Sequence, residues 1–97
     1  DYVYCVGGVS KKSFLPIVEK DKSSKEIIWF QNSQKLGEYL EDKIPEKSIV
    51  LVKGSQNTIF LEEAIKAILK KKSDDKNLCR QESYWLKMKI KYFEESK

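Results

Sequence analysis

The chain has 97 residues, 40% apolar and 35% charged, with four Gly and two Pro, a composition that suits one small globular domain, or part of one, and excludes a disordered or fibrous chain. Two Cys and no His leave too few ligands for a four-coordinate zinc centre and remove the commonest general base, which argues against self-contained triad chemistry. The net charge of +4 lies in the last third: nine Lys match nine Asp/Glu through residue 62, and ten Lys/Arg face six Asp/Glu beyond it.

In chain order, three short apolar runs read as strands: YVYCVGG (2–8), EIIWF (26–30) and SIVLV (48–52). Each is nearly continuously apolar, as strands covered on both faces are. A helical pattern follows each run. Ser13 is placed to cap a helix with Phe14, Leu15, Ile17 and Val18, Pro16 falling in its first turn. Asn32 or Ser33 caps a helix through Leu36, Tyr39, Leu40 and Ile44, which Pro45 stops. Phe60, Leu61, Ala64, Ile65, Ile68 and Leu69 form the apolar stripe of a third. Glu62 and Glu63 lie in its first turn and Lys70, Lys71 and Lys72 in its last, complementing the helix dipole.

Ser73 with Asp74 and Asp75 reads as another helix start. Residues 83–95, SYWLKMKIKYFEE, fit both an alternating strand and a helix; their Lys, Leu, Met and Glu favour the helix, with an added edge strand as the rival. The expected fold is α/β: a three-layer Rossmann-like sheet of at least three parallel strands joined by crossover helices over residues 1–72, with a basic, helical extension over 73–97 packed on it.

The C-terminal ends of parallel strands share one edge, where ligands bind. Here that edge collects Gly7 and Gly8, Gln31 to Ser33, and Lys53, Gly54, Ser55, Gln56, Asn57 and Thr58. Gly54 allows a tight turn and close approach, the N–H groups of a following helix start favour an anion, and Lys53 adds a full charge. The plain alternative is a capped strand–helix turn with a solvated lysine. GxxxxGK[ST] is absent, so this is not a Walker A loop. Arg80 is the only arginine; its fork suits a carboxylate, either on a ligand or on an internal Asp/Glu. Trp29, Tyr84 and Trp85 read as core rather than base-stacking residues. Glu82, Glu94 and Glu95, interleaved with the tail lysines, argue for a solvated face over nucleic-acid binding.

The segment SIVLVKGSQNTIFLEEAIKAIL resembles the LVKGS strand–loop–helix in the C-terminal domain of Mur ligases, most of all the UDP-N-acetylmuramoyl-tripeptide:D-alanyl-D-alanine type. DYVYCVG and IIWFQNSQKLGEYL are similar to the elements before that segment, and LCRQESYW to an extension in some relatives. The resemblance implies a cytoplasmic, ATP- and Mg²⁺-dependent amide ligase of peptidoglycan precursor synthesis. Its substrates would be a UDP-linked muramoyl peptide and an amino acid or dipeptide.

This chain has no P-loop, so ATP and Mg²⁺ would be bound mainly by a central domain outside it. The chain itself would be the last part of the closing, substrate-positioning domain, with the central and N-terminal ligase domains as partners and no membrane association. Lys53, Gly54 and Ser55 match the motif, and Gln56 and Asn57 adjoin it. The competing expectation is a freestanding anion- or nucleic-acid-binding α/β module.

Overall fold

A computed structural model describes residues 1–54 and 58–96. Strands β1 (Tyr2–Val6) and β2 (Glu26–Phe30) pair in parallel and in step, from Tyr2 beside Glu26 to Val6 beside Phe30. Alternation along the strands sends Tyr4, Val6 and Phe30 to one face of this ribbon and Cys5 and Trp29 to the other.

The connection between the strands is helical from its first residue: α1 (Gly7–Val9), a π turn (Ser10–Phe14) and α2 (Leu15–Asp21) run on without a loop. The expected helix start at Ser13 therefore gives way to one at Gly7, whose φ of 84° makes the turn out of β1. The Ser10 hydroxyl holds that turn, donating to the carbonyls of Val6 (2.6 Å) and Gly7 (3.0 Å). Pro16 explains the π turn. A proline has no N–H, and its ring collides with the carbonyl four residues back; a wider turn just ahead of it relieves the collision. This helical run covers one face of the ribbon: the Trp29 indole donates to the Gly7 carbonyl (2.8 Å), and the Lys11 ammonium sits 4.4 Å from the Trp29 ring centroid.

On the other face lie α3 (Ser33–Leu40) and α4 (Glu62–Ile68). Asn32 caps α3 as expected, its side chain accepting from the Lys35 N–H at 2.9 Å. The two helices touch through small residues: a Cβ at Gly37 would stand 3.1 Å from the Ala67 Cβ and 3.2 Å from the Ala64 Cα. Leu36, Leu40 and Ala64 form the buried centre there, with Tyr4, Val6, Phe30, Tyr39, Ile44 and Ile68 around them.

Beyond α4, Leu69 turns extended, so Lys70 and Lys71 lie outside the helix rather than in its last turn. Lys72 still serves the helix end, donating to the carbonyls of Lys66 and Ala67. Residues Lys72–Asn77 form a 3₁₀ helix, in which Ser73 is not the cap. Residues Ser83–Glu95 form the helix α5.

The three-strand Rossmann-like sheet is a failed expectation. Among the described residues the sheet has two strands, β1 and β2, and residues 48–52 join neither. The run has the same β-branched character as β1 and β2, but strand formation depends on an edge to receive it more than on composition. α3 and α4 pack directly on each other, with no strand between them among the described residues. Ile49 and Leu51 are left 99% and 88% exposed.

Candidate functional site

Lys53 and Gly54 are both exposed. Gly54 and Val52 form one wall of a cleft of about 210 Å³, completed by Leu61, Glu62 and Ile65 around the start of α4 and by Leu78, Cys79 and Arg80 from the turn before α5. Gly54 and Arg80, far apart in the sequence, thus share one cavity. Lys53 stands beside it with no ion pair among the described residues. The expected site residues Ser55, Gln56 and Asn57 lie outside the described residues. The Gly54 position is tight: a Cβ there would come 2.5 Å from the Leu61 Cδ1.

Two residues of the cleft's lining, Glu62 and Arg80, belong to an ion cluster. Arg80 grips the Glu62 carboxylate with a fork, Nε to Oε1 at 2.8 Å and Nη2 to Oε2 at 2.9 Å. From α5, the Lys89 ammonium reaches Glu62 Oε1 (3.1 Å), Glu63 Oε1 (2.8 Å) and the Arg80 carbonyl (2.7 Å). Lys66 closes the set on Glu63 at 3.0 Å. Glu62 and Lys89 are each only 3% exposed, so every charge needs its partners.

Burial pushes the Glu62 carboxyl up, but hydrogen bonds from Arg80, from its own backbone N–H and from Lys89 outweigh this and hold it below its ordinary value. The hydrogen bond to Glu62 pushes the Arg80 guanidinium up in turn, against the opposing effect of burial. Arg80 itself takes the left-handed backbone region, φ 56°, as does buried Phe60 at φ 53°. Phe60 anchors α5 by edge-on contacts with Trp85 and Tyr92 at 6.3 and 5.4 Å.

This geometry answers two open questions. The carboxylate that Arg80 binds is internal, Glu62. The positive start of α4 is likewise met by the chain's own Glu62, so an external anion would find its charges on Lys53 and on the outer part of Arg80. Among the described residues no three Asp, Glu or Cys side chains gather closely enough to hold a metal ion.

Other polar groups play structural parts. Glu26 accepts from the phenols of Tyr4 (2.9 Å) and Tyr39 (3.3 Å). Burial and that carboxylate push Tyr4 up to about 12, which keeps it a donor. Gly7 and Gly8 start a helix rather than a ligand loop. Asn32, besides capping α3, donates to the Ser96 hydroxyl at 3.0 Å and so ties down the end of α5. Trp29 and Trp85 are half-buried and Tyr84 is exposed. Cys5 is buried, with its thiol pushed up chiefly by burial, and Cys79 is a free thiol exposed at the cleft. No helix among the described residues is long and apolar enough to cross a membrane.

Sequence reasoning missed Lys89 as the second partner of Glu62. The signal was present: Lys89 falls on the helical stripe of Trp85, Tyr92 and Phe93, where a lysine is out of place unless paired. No protein-family model matches the chain, and neither a curated protein nor a solved structure matches it.

Proposed function

We propose that this chain is a non-catalytic, anion-holding part of an ATP-dependent amide ligase of the Mur type. It would work beside central and N-terminal domains that carry the P-loop, ATP and Mg²⁺. One observation carries the reading: the lysine–glycine pair of the LVKGS-like segment adjoins the same small cleft as the lone arginine. Lys53, which has no ion pair among the described residues, offers an ammonium to a phosphate or carboxylate, and Val52, Leu61, Ile65 and Leu78 offer apolar walls to a small aliphatic side chain. The reading rests on the segment and the cleft; the two-strand sheet lends it no support.

The test is calorimetric titration of the chain with ADP and with D-alanyl-D-alanine, alongside a phosphate-release assay with ATP and Mg²⁺. Saturable binding that Lys53→Ala abolishes, with no phosphate release, is expected. Turnover by the chain alone, or binding unchanged in Lys53→Ala, contradicts the proposal.

The exposed Lys70, Lys71, Lys76, Lys87 and Lys91 favour a second reading, a freestanding module for anions or single-stranded nucleic acid. A salt titration separates the two. Tight oligonucleotide binding with a steep salt slope supports the module, and no binding supports the ligase part.

A further inference from the structure

Residues 49–52 are the largest anomaly of the molecule. Four consecutive apolar side chains, Ile49, Val50, Leu51 and Val52, are 99%, 47%, 88% and 43% exposed. The same molecule holds a two-strand sheet, so β1 has an edge that pairs with no strand among the described residues. An open edge is a template for another strand. We propose that residues 48–52 of one copy add to the open edge of β1 in a second copy, each copy giving and receiving a strand in a closed two-fold dimer.

Charge and side-chain pattern choose the partner and the register. Aligned in parallel and in step, as β2 is with β1, Ser48 lies beside Tyr2, and Lys47, in the turn just before it with φ 62°, falls at the Asp1 end of the edge, where the charges are opposite. Ile49 and Leu51 then extend the face of Val3 and Cys5, while Val50 and Val52 extend that of Tyr4 and Val6. A one-residue slip would exchange the faces and separate Lys47 from Asp1. A second copy satisfies both surfaces at once, because it presents the identical edge and the identical segment. Among the described residues no strand of its own chain receives the segment, and its far end is occupied at the cleft, where Gly54 packs on Leu61.

The experiment is sedimentation equilibrium of the full chain over a wide concentration range. The expected mass rises from 11.4 kDa towards twice that value. Ile49→Lys combined with Leu51→Lys should give a monomer at every concentration that still folds cooperatively and melts as the wild type does when diluted to monomer, because both side chains are exposed in the free chain. Lys47→Glu should weaken the dimer several-fold, and Asp1→Lys added to it should restore the affinity, a rescue that reads the register directly.

A monomer at every concentration overturns the proposal, as does a dimer indifferent to the double lysine variant. A double variant that fails to fold also overturns it, since these side chains would then be core of their own chain. Failure of the charge-swap rescue overturns the β1 pairing. None of these results depends on binding at the cleft.

Discussion

Replacing Lys89 by Ala is expected to be the most damaging single change near the cleft. The ammonium makes three short contacts, with Glu62 (3.1 Å), Glu63 (2.8 Å) and the Arg80 carbonyl (2.7 Å). A hydrogen bond to a charged group contributes about 1.5–3 kcal/mol when buried. Breaking a buried ion pair by removing one partner costs about 3–5 kcal/mol. Glu62 keeps Arg80 and Glu63 keeps Lys66, which places the expected loss at the lower end, about 3 kcal/mol.

For a domain of this size each kcal/mol moves the melting temperature by about 4–8 °C, so the midpoint should fall by about 12–24 °C. Lys66→Ala is the control. It breaks a more exposed pair one helical turn away and should cost no more than about 0.5 kcal/mol. Lys89→Met, which keeps the stem against Phe60, should lie between them. Thermal and urea unfolding of the three variants measures this, and equal midpoints for Lys89→Ala and Lys66→Ala would refute the buried cluster.

Acid should destabilise the fold through Glu62. Its carboxyl is held below the ordinary 4.5, so its contribution is complete above the unfolded value and is lost as pH falls through the folded one. Urea midpoints should therefore decline more steeply below about pH 4.5 in the wild type than in Glu62→Gln. Ser33→Ala should raise stability by about 1 kcal/mol, because the Ser33 hydroxyl is buried with no hydrogen-bond partner among the described residues; a loss of stability would show that the hydroxyl is satisfied. Gly7→Ala should cost about 1–2 kcal/mol, since φ of 84° is closed to alanine and its Cβ would meet the Ile59 Cδ1 at 3.0 Å; calorimetric melting checks it. Asn32→Ala removes both the α3 cap and the tie to Ser96 and should cost about 1–2 kcal/mol in urea unfolding.

What was legible in the sequence is what neighbours along the chain decide. The apolar runs of β1 and β2, the Asn32 cap, the acidic first turn of α4 and the helical preference of residues 83–95 all depend on local residue type and spacing. The failures are non-local. Ser48–Val52 reads as well as EIIWF does, but among the described residues it joins neither β1 nor β2, and that depends on how α3 and α4 meet. Ser13 reads as a cap with Pro16 in the first turn, whereas the helix starts at Gly7 and runs on through a π turn ahead of the proline. At the cleft, Gly54 and Arg80 were each singled out, yet their shared cavity and the buried Glu62 between Arg80 and Lys89 exist only after α5 folds back on α4.

The most direct test of the cleft is an ¹⁵N NMR titration of the chain with ADP. The account predicts that the amide signals of Val52, Lys53, Gly54, Leu61 and Arg80 move together and saturate, and that Lys53→Ala removes the response. Shifts confined to Lys70–Lys76 and α5, or no shifts, would contradict it.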